Sequence, residues 1–353
     1  MRLRDDLVAR IAATGPITVA DYMAQALLHP TKGYYSTRDP LGAAGDFTTA
    51  PEISQMFGEL IGLCLAQGWL DQSAPASFVL AELGPGRGTL MADILRATAK
   101  VPGFHDAANI VLVEASPVLA DQQRALLNQY DVTWVDAMAQ VPNGPLWLVA
   151  NEFFDALPIR QFQREGAAWR ERCVGLDGDA LTFGLSPTGP QPALDHRLED
   201  TKDGDLVEHC APAVAVTRDI GARIATHGGA ALLIDYGDWR SLGDTFQALQ
   251  AHASVDPLDA PGDADLTAHV DFEALSSAAA PAAFTRLTPQ GVFLERLGIT
   301  QRARALSTDL TGQPLEAHIK AHQRLTHPEE MGNLFKVLGL YPANAAPPPG
   351  LEP

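Results

Sequence analysis

A glycine-rich turn after a short apolar strand carries the clearest chemical signal in this sequence. One acid and three glycines at alternate positions mark the turn: Glu82, Gly84, Gly86 and Gly88. An apolar helical pattern follows it, and strand, turn and helix together form the first unit of a doubly wound sheet. Glycine adopts positive φ at little cost and lets a ligand approach the backbone closely. The pattern therefore predicts a ligand site beyond the carboxyl end of this strand.

The spacing of the glycines distinguishes between two kinds of ligand. A dinucleotide fingerprint reads G-x-G-x-x-G, whereas this turn reads G-x-G-x-G and follows Glu82. It resembles the first motif of class I methyltransferases, which bind S-adenosylmethionine (SAM). A pyrophosphate is bound by a bare helix N-terminus, but SAM brings a sulfonium cation and an amino-acid end, which an acid suits. The alternative is a turn that merely joins strand to helix.

Acids also follow the next two predicted strands. Glu114 ends a buried run at 110–113 and can accept hydrogen bonds from both ribose hydroxyls of an adenosyl group. The alternative for Glu114 is a helix-cap or turn acid. Asp136 follows residues 132–135, a position that commonly faces the adenine in class I methyltransferases. The predicted cofactor-binding residues are Glu82, Gly84, Pro85, Gly86, Gly88, Glu114, Ala115, Asp136, Asn151 and Phe47.

A fourth predicted strand, 146–150, runs directly into Asn151, Glu152 and Asp155. In this fold that strand end borders the transferred methyl group and its acceptor. Two acids beside two phenylalanines are costly to bury unless a partner pairs with them. Paired carboxylates can bind a guanidinium bidentately. We therefore predict that these three residues bind the acceptor; the alternative is a solvated helix start.

Two unusual loops contain the remaining candidates. Residues 33–50 show little periodicity, and loops of this length are usually functional or disordered. Its aromatic residues argue against disorder. We predict that this loop closes over the site, with Asp46 as a candidate catalytic residue and Phe47 as a cofactor-binding residue. Residues 244–272 are also predicted to be mostly loop, and His269 in this segment is a candidate base. An isolated histidine is, however, more often structural.

Composition narrows the functional classes. The 353 residues include 43 acidic and 25 basic side chains, for a formal charge of −18. That balance argues against binding to nucleic acid or to an anionic membrane surface. The three cysteines lie far apart, and neither they nor the histidines have metal-site spacing. Because the N-terminus has neither a signal-peptide core nor transit-peptide character, and no apolar run reaches membrane-spanning length, we expect a cytoplasmic protein.

The other patterns complete an α/β prediction. Two helices near the N-terminus and a long helix from Pro51 precede the glycine turn. Polar and apolar residues alternate within 159–185, which is typical of an inserted antiparallel meander. We divide the chain into a helical extension (1–72), a doubly wound core (73–158 and 203–353) and a β-rich insertion (159–202). Residues 343–353 are rich in Pro and Ala and are expected to fray.

Longer motifs identify a family. The segments that carry the resemblance are GYY at 33–35, GDFTTAPEI at 45–53, FGE at 57–59, NEFFDALP at 151–158, LIDYG at 233–237, DLTAHVDF at 265–272 and MGNLFK at 331–336. With the glycine turn they resemble the MidA-like family of class I methyltransferases across nearly the whole chain. The resemblance implies a Rossmann-like fold, SAM as cofactor and methylation of a protein arginine. Mitochondrial members of the family methylate a subunit of respiratory complex I and assist its assembly.

Two alternatives to this function remain open. The acceptor could be a small molecule, or the chain could be a SAM-binding assembly factor that docks to a partner with little catalysis. Product formation separates them, because a docking factor binds SAM without turnover. The sequence predicts no nucleic-acid partner and no membrane insertion, and it leaves the oligomeric state open.

Overall fold

The computed structural model describes residues 2–37 and 48–353. Its helices are α1 (Leu3–Thr14), α2 (Val19–Leu28), α3 (Tyr34–Thr37), α4 (Ala50–Ile53), α5 (Gln55–Asp71), α6 (Thr89–Thr98), α7 (Phe104–Ala107), α8 (Pro117–Leu126), α9 (Ala211–His227), α10 (Phe272–Ala278), α11 (Gln290–Arg296), α12 (Ile299–Leu306), α13 (Gly312–Thr326) and α14 (Met331–Leu334). Its strands are β1 (Ile17–Thr18), β2 (Phe78–Leu83), β3 (Ala108–Val113), β4 (Val132–Val135), β5 (Leu146–Asn151), β6 (Arg160–Glu165), β7 (Ala168–Asp177), β8 (Ala180–Leu185), β9 (Leu206–His209), β10 (Gly229–Asp238), β11 (Gln247–Gln250), β12 (Ala253–Val255), β13 (Asp265–Thr267), β14 (Val270–Asp271), β15 (Ala283–Phe284), β16 (Thr288–Pro289) and β17 (Phe335–Tyr341).

The chain forms two compact units. The meander unit contains the described residues before position 38 together with Asp155–Ala213 and Arg240–Asp271. The sheet unit contains Thr48–Phe154, Val214–Trp239 and Phe272–Pro353. The division predicted from sequence, with its boundaries at 72, 158 and 202, stays a prediction.

The sheet unit is built on a doubly wound sheet, which confirms the predicted fold class. Its strands run in the order β4-β3-β2-β5-β10-β17; the first five are parallel, and β17 is antiparallel to β10. The order reverses beside β2, where ligands bind in folds of this kind. Leu83 at the end of β2 pairs with Val113 on one side and Ala150 on the other. The residues that follow β2, β3 and β5 therefore meet at one edge of the sheet.

The central strands are hydrophobic because helices cover both faces of the sheet. Every residue of β2 and β5 is buried. On one face α5 packs closely on α6: a Cβ at Gly58 would lie 2.6 Å from Cβ of Asp93, and one at Gly62 would lie 2.9 Å from Cα of Ile94. These two glycines are therefore needed for the close approach of the helices.

The long helix expected from Pro51 is in fact two helices. Ser54 has extended backbone (φ −161°, ψ 136°) between α4 and α5, and its hydroxyl accepts a hydrogen bond from the Met56 N–H at 3.2 Å. Ser54 caps α5 because its side chain replaces a backbone partner that the first turn lacks. Periodicity did not reveal the break, since the apolar stripe continues on both sides of it.

The meander unit confirms the predicted antiparallel insertion. Its main sheet has the order β1-β7-β6-β9, with β8 on the far side of β7. A smaller sheet, β12-β11-β13, occupies the segment 244–272 that was predicted to be mostly loop. Most of the segment is irregular, as predicted, but these strands were not predicted, because they have only three or four residues each, too few to show alternation.

The C-terminal prediction also needs correction. Residues 343–353 do not fray: Leu351 is buried in the core of the sheet unit, and the Arg286 N–H donates to the Glu352 carbonyl at 2.8 Å. The sequence reasoning also missed α13, whose exposed residues are mostly polar. Within the described residues, no helix combines the length and hydropathy needed to cross a bilayer.

Candidate functional site

The glycine turn has the conformation that its sequence predicts. Gly84, Gly86 and Gly88 have φ of 61°, 55° and 86°, in the left-handed region where L side chains are disfavoured. A Cβ at Gly84 would lie 2.9 Å from Cδ2 of Phe153, so this ring packs directly on the turn. Gly88 is the N-cap of α6. The turn therefore exposes bare backbone at the reversal point of the sheet.

Glu82 is a buried acid beside this turn. Its side chain is 3% exposed, and its Oε2 makes no hydrogen bond within the described part of the chain. Burial raises the pKa of Glu82 to about 8, and the charge of Glu114 adds to the rise, against a hydrogen bond from the Met91 N–H. A cationic ligand would favour the ionised carboxylate, because it would supply the charge partner that the protein interior lacks.

This pKa predicts an unusual pH dependence of stability. From the ordinary value of 4.5 up to about 8, folded Glu82 keeps a proton that the unfolded chain has lost. The contribution of Glu82 to the free energy of unfolding therefore falls as pH rises through this interval, by up to about 1.4 kcal/mol per pH unit. We expect Glu82→Gln to flatten this dependence in urea titrations across the interval. Glu316→Gln on the exposed side of α13 is the control and should keep the slope of the parent; an unchanged slope in Glu82→Gln would contradict the assignment.

Glu114 follows β3 and accepts hydrogen bonds from neighbouring protein groups. Its Oε1 accepts the Ser116 N–H at 2.7 Å, and its Oε2 accepts Nε2–H of Gln123 at 3.1 Å. Burial raises the pKa of Glu114, and hydrogen bonds from the Ser116 N–H, Gln123 and the Ala115 N–H act in the opposite direction. A carboxylate has about four lone-pair sites. With three donors from the protein, Glu114 retains capacity for a ribose hydroxyl.

Asn151 and Glu152 follow β5, and the backbone of Glu152 is strained. Glu152 has φ of 53°, a left-handed conformation that costs a non-glycine residue roughly 1–3 kcal/mol. Its Oε1 accepts hydrogen bonds from the Ala50 N–H and from Nδ2–H of Asn151, both at 3.0 Å. Oδ1 of Asn151 is buried and makes no hydrogen bond among the described residues. Glu152 thus connects the strand end to Ala50, where the unusual loop ends and α4 begins.

A second carboxylate anchors the same stretch of chain. Oε1 of Glu52 accepts the Thr89 hydroxyl at 2.5 Å, and its Oε2 lies 3.7 Å from Nη1 of Arg87. Arg87 lies in the glycine turn, and Thr89 is the first residue of α6. The sequence predicts no contact between Glu52 and the glycine turn, because nothing local indicates a partner so distant in sequence.

Asp155 and His269 lie in the meander unit. The Ala268 N–H donates to the Asp155 carbonyl at 3.0 Å. This hydrogen bond places Ala268, the residue before His269, beside Asp155. Close to them Oη of Tyr35 donates to Oδ1 of Asp265 at 2.8 Å. Burial, Asp265 and Asp155, in that order, raise the pKa of Tyr35 well above its usual value. Two buried acids and a protonated tyrosine therefore form one polar cluster.

The remaining predicted residues are more dispersed. Ala115 and Asp136 are exposed at the ends of β3 and β4, and Oε1 of Gln140 accepts the Asp136 N–H at 2.7 Å. Asp46 and Phe47 lie outside the described residues. In the described ranges 2–37 and 48–353, no cluster of three or more His, Cys, Asp or Glu side chains is arranged to hold a metal ion.

Comparison with known proteins identifies the family of the chain. A family model described as S-adenosyl-L-methionine-dependent methyltransferase matches residues 60–290. The chain is 38% identical over 372 residues to the mitochondrial protein arginine methyltransferase NDUFAF7 of Xenopus laevis. This alignment covers 96% of this chain and 84% of that protein. For the Homo sapiens protein of the same name the identity is 37% over 367 residues, covering 95% and 82%.

A solved structure has the same architecture. The crystal structure of a superfamily member from Burkholderia thailandensis bound to S-adenosyl-homocysteine superposes with a TM-score of 0.84 at 30% identity. The match covers 96% of this chain and 91% of that one. The fold and the glycine turn define a class I SAM-dependent methyltransferase. The chain belongs to the MidA-like family of these enzymes, and its cofactor is SAM.

The residues of the site fit this cofactor. The left-handed glycines form a backbone cradle without side chains, Glu114 offers carboxylate oxygens, and the buried Glu82 offers a charge partner for a cation. When bound, SAM supplies an electrophilic methyl group on a sulfonium sulfur. The chain's contribution is to bind and orient the reactants, since proximity and alignment can supply roughly 7–11 kcal/mol of the barrier reduction.

Proposed function

We propose that this chain methylates an arginine side chain of a protein substrate. The main support is the similarity along 95–96% of its length to relatives named protein arginine methyltransferase. Following the family resemblance, we further infer that the substrate is a subunit of respiratory complex I and that the chain acts in the cytoplasm during assembly of the complex.

The acids after β5 support a cationic acceptor. A guanidinium has a pKa above about 12 and donates from five N–H groups. We assign Glu152 the task of orienting one such N–H and favouring proton loss as the new N–C bond forms. Asp155 is a second candidate, because its buried carboxylate would favour a cationic partner. His269 and Asp46 remain candidates for accepting the released proton.

A labelling experiment tests this function. The chain is incubated with isotopically labelled SAM and the soluble proteins of a host that lacks it, and modified peptides are identified by mass spectrometry. We expect label on arginine of a complex I subunit, and none with Gly86→Val. Label confined to another side chain or to small molecules would contradict the proposal. Binding of SAM without any labelled product would instead favour a docking factor.

A further inference from the structure

Gln123 on α8 has a fully buried amide whose polar atoms all have partners. Its Nε2–H groups donate to the Gly86 carbonyl at 2.7 Å and to Oε2 of Glu114 at 3.1 Å. Its Oε1 accepts Nε1–H of Trp134 at 3.0 Å. The side chain is 0% exposed. A buried amide is costly without partners, so this complete set of hydrogen bonds stabilises one orientation.

The indole of Trp134 decides which way the amide points. An indole N–H only donates, so the atom of Gln123 that faces it must be the oxygen. The NH₂ group then faces the Gly86 carbonyl and the Glu114 carboxylate, both of which only accept. Rotation of the amide by half a turn would break all three hydrogen bonds. The orientation is therefore determined by the chemistry of its neighbours.

The three partners follow or belong to three adjacent strands. Gly86 follows β2, Glu114 follows β3, and Trp134 lies on β4. The aliphatic part of Gln123 also packs on the turn, because a Cβ at Gly88 would lie 3.3 Å from its Cγ. One side chain thus connects the glycine turn to the acid assigned to the ribose.

We propose that Gln123 is a positioning residue of the SAM site, which holds the Glu114 carboxylate and the Gly86 carbonyl in the arrangement that recognises the ribose hydroxyls. Together with the Ser116 N–H it fixes both oxygens of Glu114, so that the remaining lone pairs have defined directions. The inference rests on the assignment of Glu114 to the ribose, and it does not depend on which acceptor is methylated.

Ribose discrimination distinguishes positioning from packing. Calorimetry measures the dissociation constants of S-adenosylhomocysteine and of its 2′-deoxy analogue for the parent chain, Gln123→Met and Glu114→Gln. We expect the parent to prefer the ribose form by about tenfold, which corresponds to one hydrogen bond to a charged group. In Gln123→Met, which keeps the volume but makes no amide hydrogen bonds, the preference should fall close to unity. A packing role would weaken both ligands by the same factor.

Gln290→Met is the matched control. Gln290 is also 0% exposed, but it donates to the Leu325 carbonyl at 3.0 Å on the C-terminal helices. Its replacement should leave ribose preference unchanged. If Gln123→Met fails to fold, Gln123→Leu removes the same amide hydrogen bonds with a shorter apolar side chain, and the same ratio decides. Ribose preference retained in either Gln123 variant overturns the inference. If Glu114→Gln also retains the preference, the assignment of Glu114 to the ribose fails as well.

Discussion

Gly86→Val should lower the affinity for S-adenosylhomocysteine by at least about a hundredfold, or roughly 2.7 kcal/mol. Gly86 has φ of 55°, which a β-branched residue adopts only with strain, and its backbone lies in the turn that the cofactor must approach. Valine therefore shifts the turn or fills the cradle. Calorimetry on the purified variant measures the loss directly.

A second glycine-to-valine change separates this effect from general destabilisation. Gly184 lies on β8 in the meander unit, and a Cβ there would meet no heavy atom within 4 Å. We expect Gly184→Val to bind the ligand as the parent does. Thermal melting of both variants establishes that they fold. A folded Gly86→Val with parental affinity would show that the cofactor binds away from the glycine turn.

Glu152→Gln should reduce methylation by at least about tenfold, or 1.4 kcal/mol in transition-state binding, while affinity for S-adenosylhomocysteine stays near the parental value. Glutamine keeps an oxygen that can accept the Ala50 N–H, which Oε1 now accepts at 3.0 Å. The substitution thus removes the charge and leaves this anchor in place. Because a guanidinium acceptor interacts with that charge, turnover should fall at saturating SAM.

Glu152→Ala provides the comparison, since it removes both the charge and the acceptor for Ala50. If Glu152→Gln is as active as the parent and only Glu152→Ala is impaired, Glu152 is an anchor for the chain after the loop. If Glu152→Gln lowers cofactor affinity and activity by the same factor, the residue belongs to the donor site. Either result would remove Glu152 from the acceptor site.

Much of the sheet unit could be predicted because its signals are local. Buried parallel strands are continuous apolar runs, and β4 has the bounds expected from its sequence. The conformation of the glycine turn could also be predicted, because glycine is the residue that adopts left-handed backbone most readily. Short elements were not, because the strands of the small sheet and the break at Ser54 offer too few residues for a period to appear. The sequence does contain a local indication that Gln123 is buried, because its amide lies on the same helical face as the buried residues Leu119 and Ala120.

The sequence alone determined the fold class, the glycine turn and the acids that follow three strands, because each depends on residue type and spacing along the chain. Only the tertiary structure decided what those acids touch. The left-handed backbone of Glu152 and its bond to Ala50, the contact of Glu52 with Thr89, and the three bonds of Gln123 join segments far apart in sequence. Such contacts depend on strand order and register, and these are set by packing of the whole sheet rather than by any local pattern.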